Sequence, residues 1–186
     1  VIKYVGDASM HIHGAPIDNS NHAYDAVKTV KAMLKAVEDF NFKLKLEGKP
    51  PVGMGAGVNT GKILVGNIGS DRKMGYDCLG DPVSVAARLE SQTKSYGVLV
   101  IVGPDTVAAT KDKYDYFELD NIAVKGKELP LRIYTLHKSS KAHQTFLKNY
   151  YAGNWSAAIK QADHCMAVHP RMKEYYAKMV ERLQQG

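Results

Sequence analysis

Up to Leu136 the apolar residues switch repeatedly between the two-residue period of a strand and the three-to-four-residue period of a helix. After Lys138 the strand period does not return. Such a chain has to build a sheet with helices packed on it and then a purely helical segment. Val1, Lys3 and Val5 alternate with Ile2 and Tyr4, the run breaks at Gly6-Asp7, and a second β-like run covers Ala8–His13. A two-residue Gly-Asp break between two such runs predicts a tight hairpin. From about Asn21, residues Ala23, Ala26, Val27, Val30, Met33, Leu34, Val37 and Phe40 form one apolar helix face, ended near Gly48-Lys49-Pro50-Pro51.

Val52–Val58 has one apolar strand face and one of bare glycine (Gly53, Gly55, Gly57), which implies close approach to that backbone. Across Asn59-Thr60-Gly61, a strand over Lys62–Gly66 is expected to pair with it as a second hairpin. Tyr76–Leu79 reads as a short strand leading into Gly80-Asp81-Pro82, with Asp81 as the expected N-cap of a helix running to about Ser95. A buried strand at Val98–Val102, a short helix at Pro104–Ala109 and strands near Tyr116–Leu119, Ile122–Val124 and Leu131–Leu136 follow. This order of hairpins and helices implies an α+β fold. Ala142–Tyr151, Trp155–Val168 and Arg171–Leu183 are helical, and the Tyr150–Ile159 stretch is similar to part of a tetratricopeptide repeat.

The net charge of +6 at first invites a polyanion partner. Its distribution argues otherwise: residues 1–137 hold 17 Lys and Arg against 16 Asp and Glu, whereas residues 138–186 hold 8 against 3. The β-containing part has almost no basic excess, so a nucleic-acid-binding domain is not expected. Two cysteines, Cys78 and Cys165, are too few for a disulfide framework and suit a reducing compartment. No run approaches the ~18 apolar residues of a membrane span, and no signal peptide opens the chain. The first residue, Val1, lies inside a strand pattern, so an upstream part is expected.

Four segments in this order, Lys3-Tyr-Val-Gly-Asp7, Gly57–Gly61 with Gly66-Asn-Ile-Gly69, Tyr76–Glu90, and Val124-Lys125-Gly126-Lys127, resemble the catalytic domain of class III adenylate/guanylate cyclases. The likeness is greatest to bacterial adenylate cyclases with a short helical extension. It implies a ferredoxin-like antiparallel-sheet cyclase domain over residues 1–137, with its first strand and helices upstream of Val1, and a helical extension over residues 138–186. The implied reaction converts ATP to 3′,5′-cyclic AMP and pyrophosphate with two Mg²⁺ or Mn²⁺ ions. A cytoplasmic catalytic domain follows, with an upstream sensor or membrane tether left open.

By the same resemblance Asp7 is a metal ligand whose companion carboxylate lies upstream, and an isolated 1–186 chain should turn over little. Lys3 and Asp77 match the purine-reading pair. A carboxylate accepts from the adenine 6-amino group and an ammonium donates to ring nitrogens, so this pair suits adenine; guanine would suit a glutamate and a small donor. Cys78, next to Asp77 on a strand, points to the opposite face and is not expected to read the base. Ser84 and Arg88, four apart on one helix face, match the residues that contact ribose and phosphates, with serine replacing the commoner asparagine. Lys125 matches the lysine that reaches the terminal phosphates.

Lys3 and Asp7 are separated by roughly 13 Å of extended chain, yet the family assigns one to the base and the other to the metals. The resemblance resolves this with a head-to-tail homodimer in which Asp7 completes a site containing the partner copy's equivalents of the other five. Two alternatives stand beside this reading: a guanylate cyclase, and a cyclase-homology domain that binds nucleotide or a partner with weak or no turnover. His11 and His13 share a strand face without a third ligand, and His164 and His169 show no metal spacing.

Overall fold

The computed structural model describes residues 1–70, 73–123 and 130–185. Its centre is a four-stranded sheet in the order β3 (Ala56–Val58), β6 (Val100–Val102), β8 (Leu131–Thr135), β7 (Phe117–Ile122). β3 runs parallel to β6, and the other two pairings are antiparallel. Two hairpins complete the strands: β1 (Lys3–Val5) with β2 (Ala8–Met10), and β4 (Leu64–Ser70) with β5 (Lys73–Leu79). The helices are α1 (His22–Leu46), α2 (Asp81–Tyr96), α3 (Pro104–Thr110), α4 (Lys141–Tyr151), α5 (Trp155–Val168) and α6 (Lys173–Gln185), with one 3-10 turn at Pro170–Met172. None of them is long and apolar enough to cross a membrane. The expected α+β class is therefore observed, with one parallel pair in the sheet.

The two faces of the sheet build two cores because successive strand residues point to opposite sides. Val100 and Val102 pack with Val27 of α1 and Val58 of β3. Ile101, between them, joins the larger core with Val85, Leu89 and Tyr96 of α2, Phe117 and Leu119 of β7, and Ile133 of β8. Phe146, Ala158, Ala162, Tyr175, Tyr176, Met179 and Leu183 from α4–α6 belong to this same larger core. Each fully buried aliphatic side chain in it contributes about 1.5–3 kcal/mol.

Three expectations need correction. First, β3 does not form a hairpin with the following strand: Leu64–Ser70 pairs instead with Lys73–Leu79, from Leu64 opposite Leu79 to Ser70 opposite Lys73. The Asn59–Gly61 segment is drawn to the helices. Asn59 Nδ2 donates to the Pro82 carbonyl at 3.1 Å, and the Thr60 and Thr106 hydroxyls are 2.8 Å apart. The extended segment here is also shorter than Val52–Val58, beginning only at Ala56. Second, Asp81 is the first helical residue rather than the N-cap. Gly80 precedes it at φ 142°, and no side chain caps the helix. Third, the two strands expected near Tyr116–Leu119 and Ile122–Val124 are joined over Phe117–Ile122, because Asp120 is buried in an ion pair rather than turned out to water; Val124 lies outside the described residues.

Candidate functional site

At the tip of the first hairpin, Gly6 adopts φ 61°, a left-handed conformation that glycine enters without a Cβ penalty, and Asp7 follows it, exposed to solvent. The hairpin register sets Lys3 opposite Met10. From this strand the Lys3 ammonium reaches across to β5 and donates to Asp77 Oδ2 at 2.6 Å. The other carboxylate oxygen, Oδ1, accepts from the Cys78 backbone N–H at 2.8 Å. The Lys3 hydrogen bond, and after it the amide bond, hold the Asp77 carboxyl below its ordinary pKa. Two residues 74 positions apart thus form one donor–acceptor edge, with both side chains still partly open to water.

Cys78 is buried on the other face of the strand, and desolvation pushes its thiol pKa up. It does not share the Asp77 surface.

The second part of the site is α2. Its buried stripe is Val85, Leu89, Thr93 and Tyr96, so the helix phase leaves Ser84 and Arg88 exposed together on the outer side. Arg88 pairs with no carboxylate among the described residues. That leaves its guanidinium available to an anion. The bare glycines in and just before β3 explain how α2 comes so close: a Cβ on Gly57 would collide with the Ala86 carbonyl and the Glu90 amide, and one on Gly55 with the Thr93 hydroxyl. At the far end Gly97, at φ 62°, closes the helix. Its N–H bonds the Lys94 carbonyl at 3.3 Å, and the Val98 N–H bonds that of Thr93 at 3.0 Å, a Schellman arrangement.

Lys125 lies outside the described residues. Lys3 and Asp77 are brought into contact, Ser84 and Arg88 share a helix face, and Asp7 stands alone on its hairpin tip. Among the described residues no three His, Cys, Asp or Glu side chains are arranged to hold a metal ion. Asp7 is a single carboxylate at the hairpin tip, and the residues described do not make a complete divalent-cation site.

Sequence reading missed two features. Asn59 fastens the loop after β3 to the first turn of α2; an Asn-Thr-Gly run reads as a turn, and no local signal distinguishes it. The other is a seam of histidines where the extension meets the sheet. His137 and His169 ring nitrogens are 3.0 Å apart, and Ser140 Oγ lies 2.7 Å from His169. His143 Nε2 donates to the Glu118 carbonyl at 2.7 Å, which leaves Nδ1 to accept from the Tyr176 hydroxyl at 2.9 Å. Burial, above all other effects, lowers the His143 pKa to about 4.

Comparison with known proteins adds independent findings. A family model described as the adenylate and guanylate cyclase catalytic domain matches residues 1–138. Adenylate cyclase 1 of Rhizobium meliloti is 32% identical over 134 residues, which are 72% of this chain and 20% of that protein. A terminal-differentiation-specific adenylate cyclase of Dictyostelium discoideum is 30% identical over 151 residues, 78% of this chain and 7% of the relative. The chain thus spans a fifth or less of the length of these two relatives. Among solved structures, the adenylyl cyclase CyaB from P. aeruginosa superposes with a TM-score of 0.64 at 30% identity, over 75% of this chain and 71% of that one. The guanylyl cyclase Cya2 gives 0.58 at 29% identity, over 69% and 64%.

Proposed function

The chain belongs to the adenylate and guanylate cyclase catalytic domain family, and from that premise we propose that it acts on ATP, closing it to 3′,5′-cyclic AMP. The observation that carries the choice of purine is the 2.6 Å contact between Lys3 Nζ and Asp77 Oδ2. A cationic donor and an anionic acceptor stand side by side at one edge. Adenine offers the complement, a ring-nitrogen acceptor beside a 6-amino donor. Guanine offers a carbonyl and an N–H in the reverse order, and would face Asp77 with an acceptor.

In the proposed reaction the ribose 3′-hydroxyl gives up its proton to solvent and its oxygen attacks the α-phosphorus in line, a new P–O bond closes the cyclic ester, and the bond to pyrophosphate breaks, releasing it. Arg88 contributes a permanently charged planar donor to the phosphate oxygens as charge builds on them. Ser84, one helical turn earlier, faces the ribose, directly or through a water. Lys125 is assigned to the terminal phosphates. Asp7 is assigned as one ligand of the divalent cations, Mg²⁺ or Mn²⁺. Asp7 alone does not complete such a site among the described residues.

The proposed assembly is a head-to-tail homodimer with Asp7 of one copy facing the nucleotide contacts of the other. Its support is physical as well as familial: Tyr4, Val5, Leu64, Met74 and Leu79, on the same two hairpins that carry Lys3 and Asp77, are exposed apolar side chains.

Initial rates of the intact protein with ATP and with GTP, in Mg²⁺ and in Mn²⁺, test the reading. ATP should dominate; faster turnover of GTP overturns the purine assignment, and no turnover of either favours the cyclase-homology alternative that Ser84 motivates.

A further inference from the structure

Helix α2 is held at both ends, and its second anchor comes from the helical extension. The buried Tyr96, in the last turn of α2, donates its hydroxyl to Asp120 Oδ2 at 2.7 Å. The same carboxylate oxygen accepts from Arg182 Nη1 of α6 at 2.9 Å and from the Tyr150 hydroxyl of α4 at 3.3 Å. The Arg182 guanidinium also lies over the Tyr96 ring, 4.7 Å from its centre. Next to this cluster, Gly97 lies so close to Glu174 of α6 that a Cβ would meet both its side chain and its backbone. Leu119, beside Asp120 on β7, accepts at its carbonyl from Tyr175 of α6 at 2.7 Å. Three independent contacts thus tie α4 and α6 to the C-terminal end of α2 and the strand next to it.

We propose that the α4–α6 extension is a positioning element for the nucleotide-contacting face of α2, acting through the Arg182–Asp120–Tyr96 cluster. A rigid helix anchored by Asn59 at its first turn, by the Gly57 backbone against Ala86 and Glu90 at its middle, and by this cluster in its last turn has one orientation. Loosening the last anchor lets the helix tilt on the other two, and the exposed Ser84 and Arg88 move with it. An arginine that acts on charge developing at the phosphates is sensitive to displacements of that kind. Tyr96, Asp120 and Arg182 touch neither base nor phosphate in this scheme and act only through α2. The proposal rests on the assignment of Ser84 and Arg88 to the nucleotide.

The test compares Tyr96→Phe, which removes one hydroxyl and keeps the ring, with Arg182→Met and Arg182→Lys in the intact protein. For each variant, kcat and KM for ATP are measured together with amide hydrogen exchange along α2. Tyr96→Phe and Arg182→Met should each lower kcat about tenfold while moving KM less than threefold, and Arg182→Lys should recover part of the rate. Amide exchange should accelerate through residues 83–90 and not only in the last turn. Val27→Ala, in the opposite core, serves as the stability control and should keep kcat per folded molecule within twofold at a comparable loss of Tm. Unchanged kcat in both Tyr96→Phe and Arg182→Met, or an equal loss in Val27→Ala, overturns the proposal. If the wild-type protein turns over neither ATP nor GTP, the functional reading fails by itself. Exchange then decides the inference: acceleration confined to α6 and residues 93–96 overturns it.

Discussion

Under the proposed function the choice of purine rests on two side chains, Lys3 and Asp77. Their mutual hydrogen bond sets an ammonium and a carboxylate at one edge, the donor and acceptor that the proposed reading assigns to the base. Reversing the pair, as Lys3→Glu with Asp77→Ser, removes two charge-assisted contacts of about 1.5 kcal/mol each. At 1.36 kcal/mol per decade, kcat/KM for ATP should fall about a hundredfold while that for GTP rises; competition kinetics with both nucleotides provide the check. An unaltered ATP preference would show that this edge does not read the base. The pair is also an instance of what a sequence can and cannot disclose. Its chemistry is legible from residue type and motif, but the contact spans 74 positions and exists only because two separate hairpins are laid side by side. Asp120 is the opposite instance: an Asp-Asn dipeptide reads as a strand break, and only its partners, the buried Tyr96 and the partly exposed Arg182, explain why the strand continues.

At the level of elements, helices were the most legible parts, because a helix writes its own period into the chain. The limits of α1, α2, α4 and α5 fall within one or two residues of the apolar pattern. Strand pairing was less legible. Val52–Val58 and Lys62–Gly66 are adjacent in sequence, and adjacency favours a hairpin. The bare glycine edge instead admits α2, and β3 takes its partner from β6 in parallel. The seam between β7, α4 and α6 carries the prediction at this scale. His143 is fully buried, stacked on Phe117 with ring centres 3.5 Å apart, and its pKa is lowered to about 4 from an ordinary 6.5. Between those two values the unfolded chain takes up a proton that the folded one refuses, so unfolding free energy falls as pH falls. His143 alone sets a slope of up to about 1.4 kcal/mol per pH unit. The contribution is fully present above pH 6.5, and His137 and His169, also lowered by burial, act in the same direction. Urea unfolding at pH 6.5, 5.5 and 4.5 should show this slope. His143→Gln, which keeps a donor and an acceptor but cannot titrate, should flatten it by about 1 kcal/mol per unit; an equally steep variant would assign the acid sensitivity elsewhere.

For the whole molecule, the proposed function asks Asp7 and the nucleotide contacts on the other elements to serve a single nucleotide. One copy brings Lys3 to Asp77 and sets Ser84 and Arg88 on a common face, whereas Asp7 is exposed at a hairpin tip and belongs to no group of three or more His, Cys, Asp or Glu side chains that could hold a metal ion among the described residues. The charge distribution agrees with a small anionic substrate: the family-matched part is nearly neutral, and its few assigned cations are Lys3, Arg88 and Lys125. The excess charge lies in an extension that shares the larger core, where Arg182 neutralises the buried Asp120. If two copies pair head to tail, each interface site takes Asp7 from one copy and the nucleotide contacts from the other. Asp7→Ala and Arg88→Ala should then each lose at least a hundredfold in activity as pure proteins. Mixing them and allowing subunits to exchange should restore activity, because one interface of every heterodimer carries both defects and the other carries neither. At equal amounts half of the dimers are mixed and each has one intact site, so recovery should approach a quarter of the wild-type rate. A mixture that forms heterodimers, verified by differently tagged copies, and yet stays as inactive as its components would place Asp7 and Arg88 in the same copy's site and end the shared-site arrangement.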